Sequence, residues 1–181
     1  MIKEFRYALR FLGTFLGLYL MLSMVYGWWV ESYDRADPAT WIMTNQAGRI
    51  LQIIGEPVEV KHKDNSRSVS MIRQGDVVVN VFEGCNGLNV AIVYIAFIVA
   101  FGGRSTSMFW FIPLGLFIIY LFNLGRIAGL YLVAQYLPDY FYYVHKYAFT
   151  ASIYFIVFLL WLWWVEGLNK TALKKILTPG S

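Results

Sequence analysis

The sequence predicts an integral membrane protein, mainly α, with a bundle of about four transmembrane helices and a small extracytoplasmic α+β segment. Three observations carry that expectation. Of the 181 residues, 59% are apolar, 19% aromatic and only 14% charged, against about 45–50% apolar and about 25% charged in a soluble domain. Four stretches approach the roughly 20 apolar residues that a bilayer-crossing helix needs. The basic residues, finally, gather beside the ends of those stretches on one side. A chain this small cannot hide so much apolar surface in a single water-soluble core. The same arithmetic excludes a disordered chain, and the one cysteine, Cys85, excludes a disulfide scaffold.

The expected spans run in order. Residues 11–30 hold no charge in 20 positions and read as an anchor, since the run is long, aromatic and lacks a small-residue cleavage site. Residues 86–103 form the second span and 108–137 the third, the latter interrupted by one charge, Arg126. Residues 147–165 form the fourth. Lys3, Arg6 and Arg10 precede the first span, Arg104 sits in the tight connection between the second and third, and Lys170, Lys174 and Lys175 follow the fourth. Glu4 and Glu166 are the only acids on that side. Segment 31–84 carries six basic and eight acidic residues. Positive charge marks the cytoplasmic side, so both termini are expected in the cytoplasm, with segment 31–84 as an extracytoplasmic insertion in a single membrane domain of residues 1–181.

That insertion has its own pattern. Asp37-Pro38 reads as an N-cap with proline at the first helical position, and Gly55 closes the stretch. Trp41, Ile42, Ile50, Leu51, Ile53 and Ile54 suggest a helix lying on the outer membrane interface. Residues 58–63, 68–73 and 76–82 are β-branched or alternating runs, with Asp64-Asn65 and Gln74-Gly75 as turns. A β-meander thus delivers the chain to Glu83-Gly84-Cys85.

Three reactive side chains fall at one depth. Cys85 stands where the insertion enters the second span, and His145 where the short outer turn enters the fourth. Arg126 lies 18 residues into the third span, roughly 27 Å along a helix that starts at the inner side. Alone, each has a bland reading: an apolar filler, an interfacial histidine, an arginine snorkelling to headgroups. Asn123, one turn before Arg126 on the same helical face, argues for an inward polar patch. The chemistry suits acyl transfer through a thioester, because a neighbouring cation favours the thiolate. Imidazole can protonate a departing amine, and arginine can steady an oxyanion. Zinc proteolysis lacks its HExxH and a serine mechanism its GxSxG, and no metal or other cofactor is called for.

At these residues the sequence resembles the exosortase/archaeosortase membrane transpeptidases. Cys85-Asn86-Gly87-Leu88 is similar to the family's nucleophile segment, Asn123-Leu124-Gly125-Arg126-Ile127 to its arginine segment, and His145 to the histidine opening its last hydrophobic segment. The small size and the wording around Cys85 look most like the exosortase F subgroup. The resemblance implies a cysteine protease or transpeptidase of the cytoplasmic membrane, with residues 84–165 as catalytic core and its active site on the extracytoplasmic side. It implies Cys85 as nucleophile, Arg126 as stabiliser of thiolate or oxyanion, and His145 as acid/base. Its implied partners are exported proteins held by a C-terminal sorting helix, together with the lipid bilayer. No nucleic acid is expected, and oligomeric state is not readable.

Asn86, Asn89 and Asn123 are candidate orienting groups, with ordinary helix-contact polarity as the alternative. Glu83 either pairs with Arg126 or His145 or is a solvated loop acid, the reading favoured slightly. His62, between Lys61 and Lys63, is the other candidate base, and a solvated surface position is favoured for it. Two rival functions stand beside the enzyme: a membrane scaffold whose outer segment binds a partner, and a small transporter subunit with Arg126 in an anion path.

Overall fold

The computed structural model describes residues 2–64, 66–102 and 107–177, with side chains for 5–64, 66–101 and 107–167. Asn65 and Arg104 therefore lie outside the described residues, as do the side chains of Lys3, Glu4, Lys170, Lys174 and Lys175. Helix α1 (Ile2–Glu31) is followed by α2 (Pro38–Ile53) and by strands β1 (Glu59–His62), β2 (Ser68–Arg73) and β3 (Asp76–Phe82). A 3₁₀ turn, Glu83–Cys85, leads into α3 (Leu88–Gly102) and α4 (Met108–Tyr136). After a 3₁₀ turn at Pro138–Tyr140, the short α5 (Phe141–Tyr143) and a π-helical turn at Val144–Ala148 open the last helix, α6 (Phe149–Leu177).

Among the described residues, three helical stretches are long and apolar enough to cross a membrane: Phe5–Glu31, Met108–Tyr136 and Pro138–Gly167. The second expected span is where structure and sequence part. Its helix, α3, has 15 residues, about 22 Å of rise against a hydrocarbon core of about 30 Å. Asn86 and Gly87 fall outside it for a local reason. Gly87 holds φ +79°, which a right-handed helix cannot include, and the Asn86 side chain accepts the Leu88 N–H at 2.9 Å. Helix α4 stays continuous through Pro113 and ends at Tyr136. There the residue before Pro138, Leu137, turns out of the helix with φ −137° and ψ 55°.

The insertion forms as its pattern predicts. Asp37 Oδ1 accepts the N–H groups of Ala39 and Thr40 at 2.9 and 3.0 Å, satisfying two orphan donors of α2. The sheet is an antiparallel meander in the order β1-β2-β3. Gln74 and Gly75 both hold positive φ, 52° and 98°, the sign pattern of the type I′ turn whose twist matches a hairpin. The α2 face differs from expectation in one respect. Leu51 is buried with Thr40, Met43, Thr44, Ala47 and Gly48, whereas Ile42, Ile50, Ile53 and Ile54 stay exposed. Gly48 permits this docking, because a Cβ there would stand 2.7 Å from Val60 Cγ2 on β1.

Two hydrophobic clusters hold the elements together. The first joins Met43, Ala47 and Leu51 of α2 and Met71, Val79 and Val81 of the sheet to Leu124, Ile127, Ala128 and Tyr131 of α4. The insertion thus has its core in common with a membrane-length helix. Arg73 reinforces that joint, pairing with Glu56 at 3.2 Å and donating to the Tyr136 hydroxyl at 3.2 Å. The second cluster packs Tyr94 and Ile98 of α3, Phe111 and Ile119 of α4, and Val157, Leu160 and Trp164 of α6. Tyr94 donates to the Phe111 carbonyl at 2.9 Å across a space that only Gly115 leaves open. Trp164 is buried, and Trp161 stacks on Phe97 with ring centroids 4.3 Å apart. Both fill helix contacts, while Trp28 is exposed as an interfacial residue would be.

Because Asp37 is fully buried and caps α2, Asp37→Ala is expected to cost about 1–2 kcal/mol. A lower thermal midpoint in detergent checks this, with Asp37→Asn showing a smaller loss because its carbonyl oxygen can still cap.

Candidate active site

Cys85 closes the 3₁₀ turn that follows β3 without a linker. Its position is fixed from α4. Asn123, fully buried, donates from Nδ2 to the Cys85 carbonyl at 3.0 Å. The Oδ1 of the same amide accepts from Arg126 Nη1 at 3.3 Å. Arg126 Nη2 in turn stands 3.9 Å from Cys85 Sγ. The turn approaches α4 this closely because position 87 is glycine. A Cβ there would lie 3.1 Å from Asn123 Cγ, and the positive φ is itself unfavourable to other residues.

His145 comes from the far end of the chain, within the π-helical turn. Such turns are uncommon and displace a side chain from regular helical register. Its ring lies parallel to that of Phe141, interplanar angle 2° and centroids 5.8 Å apart. His145 and Cys85 are not hydrogen-bonded to each other, but both line one cavity of about 140 Å³ with Asn80, Phe82, Ile127 and Phe141. The three residues singled out from sequence are therefore brought to one place, and Asn123 with them.

The remaining candidates separate. Asn86 is buried, but its amide is committed elsewhere: Nδ2 donates to the Tyr26 hydroxyl at 2.9 Å and to Thr40 Oγ1 at 3.2 Å, and Oδ1 caps α3. It ties α1, α2 and α3 together behind the cysteine turn. Asn89 is exposed on the first turn of α3 and bonds to none of the three. His62 is stacked on Trp41, centroids 4.1 Å apart and 10° from parallel, and does not line the cysteine's cavity. Glu83 pairs with neither Arg126 nor His145. One of its carboxyl oxygens is buried without a partner, and burial raises its pKa, with Arg67 opposing and Asp37 adding to the rise. Among the described residues, no group of three acidic, histidine or cysteine side chains is placed to hold a metal ion.

Tyr26, Thr40 and the π turn escaped the sequence reading. The signal for Thr40 is its spacing from Thr44, an i, i+4 polar pair on what proves to be the buried face of α2. Tyr26 sits in an aromatic run that reads as interfacial, and nothing local marks it as a hydrogen-bonding partner of a residue 60 positions away.

The sequence matches the family model of the transmembrane exosortases over residues 5–164, which includes all of these residues. The chain belongs to the transmembrane exosortase family. It is accordingly a membrane protein, and membership supports a membrane transpeptidase role in general terms. No curated protein matches the chain, and no solved structure does.

Within this exosortase, Glu83 gives a pH prediction. Its folded pKa lies above the ordinary 4.5, so the native state binds the proton more tightly than the unfolded chain. Stability is then fullest at low pH on this account and declines as pH rises from about 4.5 through the raised folded value. Glu83→Gln should flatten that decline and raise the thermal midpoint at neutral pH relative to wild type. Thermal melts of both proteins between pH 4 and 8, on the order of one melt per half unit, check it.

Proposed function

We propose that this chain is a cysteine-dependent transpeptidase or protease that cleaves C-terminal sorting signals of exported proteins. It acts at the outer face of the bacterial cytoplasmic membrane. The observation that carries the reading is the Cys85–Arg126 approach at 3.9 Å, locked by an amide that holds both partners. The sequence holds neither the HExxH of zinc proteolysis nor the GxSxG of a serine mechanism.

In the proposed reaction His145 takes the thiol proton and Sγ attacks the carbonyl carbon of the scissile peptide. Arg126 faces the developing negative charge. Its Nη groups are engaged and its Nε is buried, so what it offers an oxyanion is the fixed charge of the guanidinium beside the sulfur. Collapse of the tetrahedral intermediate breaks the C–N bond. His145 returns the proton to the leaving amine, which departs with the sorting helix. An acceptor amine, or water, then attacks the thioester and frees Cys85 as the thiol. Guanidinium remains charged in a poorly solvated site, which suits it to this place better than lysine. Asn123 is a positioning residue: it touches Cys85 through the main chain and Arg126 through the side chain.

The basic clusters flanking the spans support an orientation with both termini in the cytoplasm. Because Cys85 is the sole cysteine, a membrane-impermeant maleimide applied to intact spheroplasts should label the protein, and Cys85→Ser should abolish labelling. Protection of the thiol until the membrane is opened would overturn the orientation.

The decisive test of the chemistry is an acyl-enzyme. Co-expressed with exported proteins ending in an apolar helix and basic tail, the wild type should accumulate a thioester on Cys85, visible by mass spectrometry. Cys85→Ser should show none. Arg126→Gln and His145→Ala should each lower processing by about 100-fold or more, and His62→Ala should leave it within about twofold. Full processing by Cys85→Ala would instead identify a scaffold, and loss with His62→Ala but not His145→Ala would reassign the base.

A further inference from the structure

β3 ends where the cysteine turn begins, and it is an edge strand. The sheet order leaves one side of β3 unpaired. Among the described residues, no main-chain hydrogen bond beyond the β2 ladder reaches Asp76–Phe82. Four consecutive residues of this strand, Val79 to Phe82, line the cavity that holds Cys85 and His145. Successive side chains of a strand point to opposite faces. A space that touches four in a row therefore runs along the strand's edge, where main-chain donors and acceptors stand, and not along one face.

The two edges of the sheet are built differently. On β1, Glu59 and Lys61 are exposed and paired at 2.7 Å, the charged edge by which proteins discourage strand addition. After Asp76, β3 reads Val-Val-Val-Asn-Val-Phe, with neither charge nor proline. The unguarded edge is the one that leads to the thiol.

We propose that β3 is the substrate-docking strand: an extended segment of the substrate, adjoining the scissile bond, pairs with the free edge of β3 as a fourth strand. This rests on the transpeptidase reading above and adds how that substrate is held. An extended peptide is the one occupant whose regularly spaced N–H and C=O groups match a strand edge. Pairing along Val79–Phe82 sets its main chain beside Cys85 Sγ. Recognition is then largely of main chain, with sequence preference confined to the side chain that enters the space bounded by Ile127, Leu130 and Phe141.

The test uses the full-length protein in detergent and reagents that alkylate the thiol with loss of chloride. Acetyl-tetraalanyl chloromethyl ketone is compared with chloroacetone, and adduct formation on the sole cysteine is followed by intact mass. Two or three main-chain bonds should speed alkylation by the peptide reagent by about tenfold or more. N-methylating alternate amides on one side of the peptide should remove that gain, and N-methylating those on the other side should spare it. No gain over chloroacetone, or a gain insensitive to which amides are methylated, overturns the docking strand. The transpeptidase reading has its own arm. Iodoacetamide should alkylate wild type several-fold faster than Arg126→Gln, and equal rates would sink that reading whichever way the peptide reagents behave.

Discussion

The carboxamide of Asn123 has to reach two partners at once, and much of the architecture follows from letting it. It lies fully buried on α4, with its nitrogen on the Cys85 carbonyl and its oxygen on the Arg126 guanidinium. A buried amide that loses a partner costs about 1–3 kcal/mol, so the pair of bonds sets the height of the cysteine turn against α4. The main chain can come so near only because position 87 has no Cβ. Behind the turn, Asn86 reaches the Tyr26 hydroxyl and Thr40, and Thr40 in turn donates to Asp37. Two adjacent residues thus hold the turn from opposite sides, Cys85 by its carbonyl and Asn86 by its side chain.

This arrangement explains why the α+β insertion cannot be a loosely attached cap. Its apolar face is completed by Leu124, Ile127, Ala128 and Tyr131, the same stretch of α4 that carries Asn123 and Arg126. Alternate faces of one helical segment therefore serve core and site. Displacing the sheet would move the inward side chains of α4 and with them the guanidinium. The link from Arg73 to Glu56 and Tyr136 fixes the hairpin end of the sheet to the end of that helix.

Much of this was legible in the sequence where the signal is local. The Asp37-Pro38 start, the strands at 68–73 and 76–82 and the third span all rest on periodicity or on capping and turn chemistry, and they appear where expected. The trio Cys85, Arg126 and His145 was legible for a different reason: in a chain so apolar, polar groups at one depth are few. What stayed hidden depends on long-range pairing. For Asn86 the sequence leaves orienting group and helix-contact polarity side by side, and only the bonds of its side chain to α1 and α2 decide for the second. Glu83 was favoured as solvated, yet part of its carboxyl is buried. Hydropathy counts Asn86 and Gly87 as permissible in the second span, whereas the positive φ at Gly87 delays the start of α3 to Leu88, after both. The π turn has no periodic signature at all, being one residue's slippage within a run that reads as helix.

The proposed division of labour among the three side chains has a physical basis in what each charge state requires. A thiol partnered directly by imidazole depends on that ring being protonated, and in an apolar surrounding the charged ring is the disfavoured form. A guanidinium carries its charge irrespective of pH. With Arg126 facing the sulfur, the ring of His145 need not supply a standing positive charge. It can remain neutral against Phe141 and take up a proton only while the reaction generates one. The burden then falls on keeping a permanent cation in a buried place, which is costly unless its donors are met. Asn123 meets one and the sulfur stands before a second. The unpartnered Nε is the remainder of that cost, and in this mechanism negative charge building beside the guanidinium offsets it through space, so that part of the cation's stabilisation is reserved for the transition state.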